Sequence, residues 1–222
     1  IGSITHAFKG DPAIVAMGVR EVAYLCDAAN RYFREQIAPV DVLRTISAAN
    51  SVIAPARRHR SDGAASLDFG RGKAPLLTMF GGDVTTARWR AERAVSKFTR
   101  FHPMTPRWTA TAPLPGGEFA WQRFETEVDI ARDHWRFLSE AQARRLVAAY
   151  GLNVKDVLGD AKAKADLGPA FGAELTGAEV RYLMQKEWAR FPDDILWRRS
   201  KLGLTMPQAD RDALAAFMTK PD

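Results

Sequence analysis

Apolar and polar positions follow two regimes along this chain, and they change over at a proline-rich stretch near its middle. In residues 18–35, Val22, Leu25, Cys26, Ala29 and Phe33 recur at three- and four-residue spacing, the period of a helix with one buried face. The branched piece 43–53, LRTISAANSVI, has a strand's composition without clean alternation. Residues 66–69 read as a short strand pairing with 75–80, an apolar run of buried-strand length. Gly81 and Gly82 end that run by admitting backbone angles that other residues avoid. A helix follows at once. Either Thr85 or Thr86 can cap it with a side-chain oxygen, and Ala87, Ala91, Ala94, Val95 and Phe98 make one stripe expected to pack on a sheet.

Pro103, Pro106, Pro113, Pro115, Gly116 and Gly117 then forbid regular structure, so residues 105–117 read as a linker with few contacts. It divides a first domain, 1–104, from a second, 118–222. Beyond it the pattern is helical, with helices expected at 118–133, 139–150, 154–158, 177–191, 193–200 and 207–218. Ser139 with Gln142 and Thr176 with Glu179 match capping boxes, and Pro207 suits a first helical position. The second domain is therefore expected to be all-α. Trp188 and Trp197 belong in its core or in a domain interface, and Arg198 and Arg199 are placed to reach helix-end carbonyls or Asp193 and Asp194.

Composition narrows the class. With 222 residues, 46% of them hydrophobic, the chain is long enough for a sizeable core. The single cysteine, Cys26, excludes an internal disulfide framework and reads as a buried, reduced thiol, which fits a cytoplasmic setting. No apolar run approaches a membrane span, and a signal-peptide pattern is absent from the start. The chain opens at Ile1 in what reads as a strand, so a piece of a longer protein is expected. His6, His59, His102 and His134 are scattered without metal-ligand spacing.

Charge is uneven. Residues 57–100 hold 10 Lys and Arg against 4 Asp and Glu, which accounts for the whole net charge of +6. Such a patch suits nucleic acid or anionic lipid, but Arg88, Arg90, Arg93, Lys97 and Arg100 also supply the solvated face that the helix needs. Only Trp89 interleaves with these cations, so stacking platforms are lacking and no nucleic-acid partner is expected.

A strand delivering a glycine turn to a helix start gathers free N–H groups and a positive dipole end, which suits a phosphate or a cofactor ring edge. The letters narrow this further. APLLTMFGGDVTTARWRAERA resembles the APLLSVFGGKxTTYRKLAEHA signature of FAD-dependent glycerol-3-phosphate dehydrogenases. The opening IGSITHAFKGDP with its later NRYF, and downstream YGLNVKDVLGDAKAKADLG and EVRYLMQKEWARFPDDILWRRSKLGL, are similar to further motifs of that family in the same order. The resemblance covers nearly the whole chain. It implies an α+β fold, in which a partial substrate-domain sheet with helices is followed by the all-α C-terminal domain. It also implies FAD contacts from Gly81, Gly82, Thr85 and Thr86, oxidation of glycerol 3-phosphate or a relative to dihydroxyacetone phosphate, electron transfer to quinone, and peripheral association with the inner membrane.

Several substrate-facing positions depart from the pattern. Asn50 stands where the family's TYSGVRPL has Arg, Asp83 where FGGK has Lys, Thr5 where GTTD has its acid and Ala87 where TTYR has Tyr. Nearby Arg57, Arg58 or Arg60 can compensate. The GxGxxG turn of a dinucleotide fold does not follow any strand of this sequence, so the chain by itself is not expected to hold FAD. The leading expectation is the C-terminal portion of such a dehydrogenase with an altered substrate site. The competing ones are a catalytically lapsed paralogue serving as an interaction module and, third, a basic nucleic-acid or lipid-surface binder.

Overall fold

The computed structural model describes residues 2–49, 64–68, 74–80 and 84–219. It divides into two compact units, Ile1–Ala112 and Pro113–Asp222.

In the first unit, helix α1 (Val19–Asn30) is capped by Gly18, whose N–H donates to the Glu21 carboxylate. Cys26 and Ala29 are buried along it. The helix stops short of the expected residue 35 because Asn30 turns back on the chain. Its side-chain amide donates to the Ile37 carbonyl at 2.9 Å and accepts from the Ile37 N–H at 2.9 Å. Phe33 consequently falls outside the helix and is exposed instead of extending its apolar face. Strands β1 (Ala64–Asp68) and β2 (Leu76–Phe80) pair antiparallel, in a register running from Ala64 opposite Phe80 to Asp68 opposite Leu76. The expected pairing of these two segments is thus present, with β1 starting two residues earlier than expected. Residues 43–49 form no strand, and the rest of that branched piece lies outside the described residues. Helix α2 (Ala87–Val95) departs from the expected stripe. Only Ala94 is buried and Phe98 half-buried, while Ala87, Ala91 and Val95 face solvent. Among the described residues the first unit holds a two-stranded ribbon and helices, which is less than the substrate-domain sheet of an α+β fold.

The second unit is helical, with one isolated bridge, Ala170 to Thr176. A 3₁₀ turn (Trp121–Arg123) leads into α3 (Phe124–His134), followed by α4 (Glu140–Tyr150), α5 (Val154–Leu158), α6 (Gly177–Lys186), a π-helical segment (Asp194–Arg199) and α7 (Gln208–Met218). The continuous apolar core lies here, with Val180, Leu183, Ile195 and Leu214 fully enclosed. Ser139 and Thr176 do cap their helices, accepting from Gln142 N–H at 3.1 Å and Glu179 N–H at 3.4 Å. Neither pairing is the full box, since Gln142 is buried and the Glu179 carboxylate is turned into the unit. Pro207 sits at the N-cap of α7, just outside its expected place.

The proline-rich stretch is tethered, contrary to the expected scarcity of contacts. Within the second unit, Gly116 O accepts from Leu152 N–H at 2.9 Å, and a Cβ on Gly151, whose φ is 55°, would lie 2.0 Å from that same oxygen. Only glycine allows so close a crossing. Gly151→Ala is expected to lose at least ~1–2 kcal/mol from the left-handed backbone alone, with more from the collision. Thermal melts should show this as a fall of several degrees within one cooperative transition, and residues 113–222 expressed alone should retain that transition.

Candidate functional site

The segment between β2 and α2 joins the end of a strand to the start of a helix. Residues 81–83 lie outside the described residues, so Gly81, Gly82 and Asp83 are not placed, and neither are Asn50, Arg57, Arg58 and Arg60. Of the sequence-based site residues, Thr85 and Thr86 are placed. They occupy a 3₁₀ turn (Val84–Thr86) that runs straight into α2, with Thr86 as the N-cap residue. Thr86 makes no side-chain capping bond, because the backbone is already helical there (φ −100°, ψ −3°) and the chain begins to coil before α2 proper.

Behind this turn α2 is fastened to residues 107–109. Thr109 Oγ1 donates to Glu92 Oε1 at 2.5 Å, Arg88 Nη1 donates to Thr109 Oγ1 at 3.2 Å, and Arg88 pairs with Glu92 at 3.5 Å. The Thr109 hydrogen bond holds the Glu92 carboxyl below its ordinary range, against desolvation and with help from Arg88 and Arg107. Arg88 is therefore committed to fixing the helix. Arg93 lies over the Trp89 ring at 4.5 Å, so one helix cation stacks on the aromatic interleaved with it.

The second unit contains a buried polar cluster that sequence reading missed. Glu179, 1% exposed, accepts from both terminal nitrogens of Arg145 at 2.8 Å and 2.8 Å and from Tyr150 Oη at 2.8 Å. Burial, then the Glu179 charge, pushes the Tyr150 hydroxyl far above its usual range, so it acts as a donor. Burial works against the Arg145 charge, yet pairing with Glu179 outweighs it. Tyr150 also meets Tyr182 edge-on, with ring centroids 5.4 Å apart. The three residues lie 29 and 34 positions apart, and Glu179 reads locally as a capping residue, so no signal in the sequence joins them.

Other candidates fall as expected or are corrected. Arg198 pairs with Asp194 at 3.0 Å and Arg199 donates to the Glu187 carbonyl at 2.6 Å, both structural roles. Trp197 packs on Gly203, where a Cβ would lie 2.7 Å from the indole, and Arg211 lies 5.5 Å from its ring centre. Trp188 is not in the helical core; it is 80% exposed, because α6 ends at Lys186. His6 lies beside Glu21 at 3.4 Å and His134 stacks edge-on against Trp135 at 4.4 Å. Among the described residues no cluster has metal-ligand character, and no helix is long and apolar enough to cross a membrane.

The helical unit coincides with a known family of C-terminal domains. The family described as the C-terminal domain of alpha-glycerophosphate oxidase matches residues 107–219. A glycerol-3-phosphate dehydrogenase of Pseudomonas aeruginosa is 37% identical over 98% of this chain and 43% of its own length. A D-erythritol 1-phosphate dehydrogenase of Brucella abortus is 38% identical over 98% of the chain and 44% of its own. An aerobic glycerol-3-phosphate dehydrogenase of Escherichia coli is 37% identical over 99% and 45%. The chain belongs to the alpha-glycerophosphate oxidase and glycerol-3-phosphate dehydrogenase family, whose C-terminal portion it matches. It spans less than half the length of these curated relatives.

Two measurements test this geometry. Glu179→Gln leaves the partly buried Arg145 guanidinium without its anion, with an expected loss of about 3 kcal/mol. Removing Arg145 and Glu179 together, both to Leu, should lose less than the sum of the single changes in denaturant unfolding. Asp194 is held below its usual 3.8 by the Arg190 and Phe191 N–H groups and then by Arg198 and Arg199. A depressed folded value means its stabilisation is complete above the unfolded value and lost as pH falls through the lower folded one. Asp194→Asn should therefore destabilise at neutral pH and flatten the decline in melting temperature below about pH 4.

Proposed function

We propose that the chain is the C-terminal portion of an FAD-dependent dehydrogenase that oxidises glycerol 3-phosphate or a related polyol phosphate to the corresponding ketone. The observation that carries this is the near-complete coverage of the chain by relatives that are glycerol-3-phosphate and D-erythritol 1-phosphate dehydrogenases. Flavin, when bound, would supply a hydride acceptor in this chemistry, with quinone as the onward electron acceptor. This chain's residues would contribute the far wall of the pocket. Thr85 and Thr86 stand at the start of α2, which the Glu92–Thr109 bond fastens, and Gly81 and Gly82 just before them in the sequence would add N–H groups. The pyrophosphate would be held by the preceding part of the longer protein, since this sequence has no GxGxxG turn. On this reading the β1–β2 ribbon belongs to a larger substrate-domain sheet in residues 1–104, and 118–222 is the all-α domain. The protein works in the cytoplasm, peripherally at the inner membrane.

Asn50 and Asp83 make the substrate site differ from the family pattern, and they favour a second reading, a lapsed paralogue retained as an interaction module. Each charge-assisted hydrogen bond to a phosphate contributes roughly 1.5–3 kcal/mol, so replacing two cations weakens binding about a hundred- to ten-thousand-fold. In the longer protein, Asn50→Arg with Asp83→Lys should lower KM for glycerol 3-phosphate, most at low ionic strength. An ordinary KM in the unmodified protein would mean that Arg57, Arg58 or Arg60 has taken over the phosphate. The chain of 222 residues alone should show no visible flavin band when purified.

A further inference from the structure

We infer that the corner after α6, residues 186–201, is the surface by which the helical unit docks on the flavin-binding half of the longer protein, with Trp188 and Phe191 at the centre of that interface. This rests on the proposed reading of the chain as the C-terminal portion of a flavin enzyme and is tested apart from it. Backbone strain is concentrated in this corner. The Glu187 and Ala189 N–H groups both donate to the Leu183 carbonyl, at 3.1 Å and 3.0 Å, with Trp188 between them at φ 57°. The π-helical segment Asp194–Arg199 follows, closed by the Ser200 N–H on the Ile195 carbonyl at 3.0 Å, and Lys201 is again left-handed at φ 62°. Glycine or asparagine fits such positions without strain, and tryptophan and lysine do not. The strained turn nevertheless holds the Trp188 indole 80% exposed, with Phe191 69% exposed three residues on. Strain kept where no packing is gained, with a π-helix beside it, marks a working surface rather than a folding requirement.

The corner is also rigid. Asp194 Oδ2 accepts from the N–H groups of Arg190 and Phe191 at 2.9 Å and 3.0 Å, Arg198 pairs with Asp194, and Arg199 donates to the Glu187 carbonyl. Lys201 Nζ donates to the Trp197 carbonyl at 2.8 Å. A surface held in one shape loses little entropy on docking. Strain carried in every copy is offset only by a partner that is always present, as another part of the same polypeptide is. The proposed reading supplies that part, since more than half the length of each curated relative has no counterpart in this chain. Composition agrees, because aromatic rings and arginines form the energetic centre of protein interfaces, and contacts between domains are more polar than a core. Lys186, Arg190, Arg198, Arg199 and Lys201 are exposed here, whereas Asp193 is the exposed acid and Glu187 and Asp194 are half-buried. The facing surface must therefore carry carboxylates.

The test labels a Phe191→Cys variant with a maleimide, without lipid, in the 222-residue chain and in the full-length protein, and reads the modified peptide by mass spectrometry. In the chain alone the introduced thiol should react as an exposed one, and in the full-length protein at least about tenfold more slowly. Lys186→Glu with Arg190→Glu should remove most of that protection, because like charges then face each other. Trp188→Gly should keep or raise the melting temperature of the chain alone, where glycine relieves the left-handed strain. In the full-length protein the same variant should lower it by about 4 °C or more, because the interface loses its central ring. Equal labelling in the two proteins, protection that survives the charge reversal, or a Trp188→Gly shift of the same sign in both would overturn the proposal. A protected corner in a full-length protein that binds no flavin would fault the proposed activity and leave the docking standing.

Discussion

The second unit depends on one carboxylate. Glu179 sits in the first turn of α6, fully buried, and its two oxygens take up the Arg145 guanidinium and the Tyr150 hydroxyl of α4. A charge there is tolerable only with both partners in place, so the network fixes how α4 and α6 face each other. Arg145 also donates to the Glu174 carbonyl at 3.2 Å, which extends the same network to the loop leading into α6. Around it the apolar core closes through Val180 and Leu183 on α6 and Leu146 and Val147 on α4. At the end of α4, Gly116 and Gly151 let the entering chain pass over Tyr150 and Leu152 at a distance closed to any side chain.

That keystone was invisible in the sequence, while most of the frame around it was legible. Periodicity located α4, α5 and α7 to within a residue or so, because their apolar faces all bury in one core and period and packing agree. It failed where tertiary bonds overrode it. The first helix ends early because Asn30 binds both backbone groups of Ile37, and α6 ends early because Trp188 adopts a left-handed turn that its residue type gives no reason to expect. The α2 stripe read as core is largely exposed among the described residues, since alanines at helical spacing fit a solvated face as well as a buried one. The glycine turn and its threonines were legible as a motif, and of these the two threonines are placed, at the entrance to α2.

Membership of the family rests on matching sequence along nearly the whole chain, whereas residues 81–83 between β2 and α2 lie outside the described residues. The Glu92–Thr109 bond fixes α2 behind the turn, and the Glu179 network fixes the helical unit that follows.

Anaerobic titration of the full-length protein with glycerol 3-phosphate and with D-erythritol 1-phosphate, followed by flavin absorbance, tests the central claim most directly. Bleaching of the oxidised flavin band by at least one of the two polyol phosphates is the predicted result. A full-length protein that carries no flavin, or whose flavin neither substrate reduces, would contradict it.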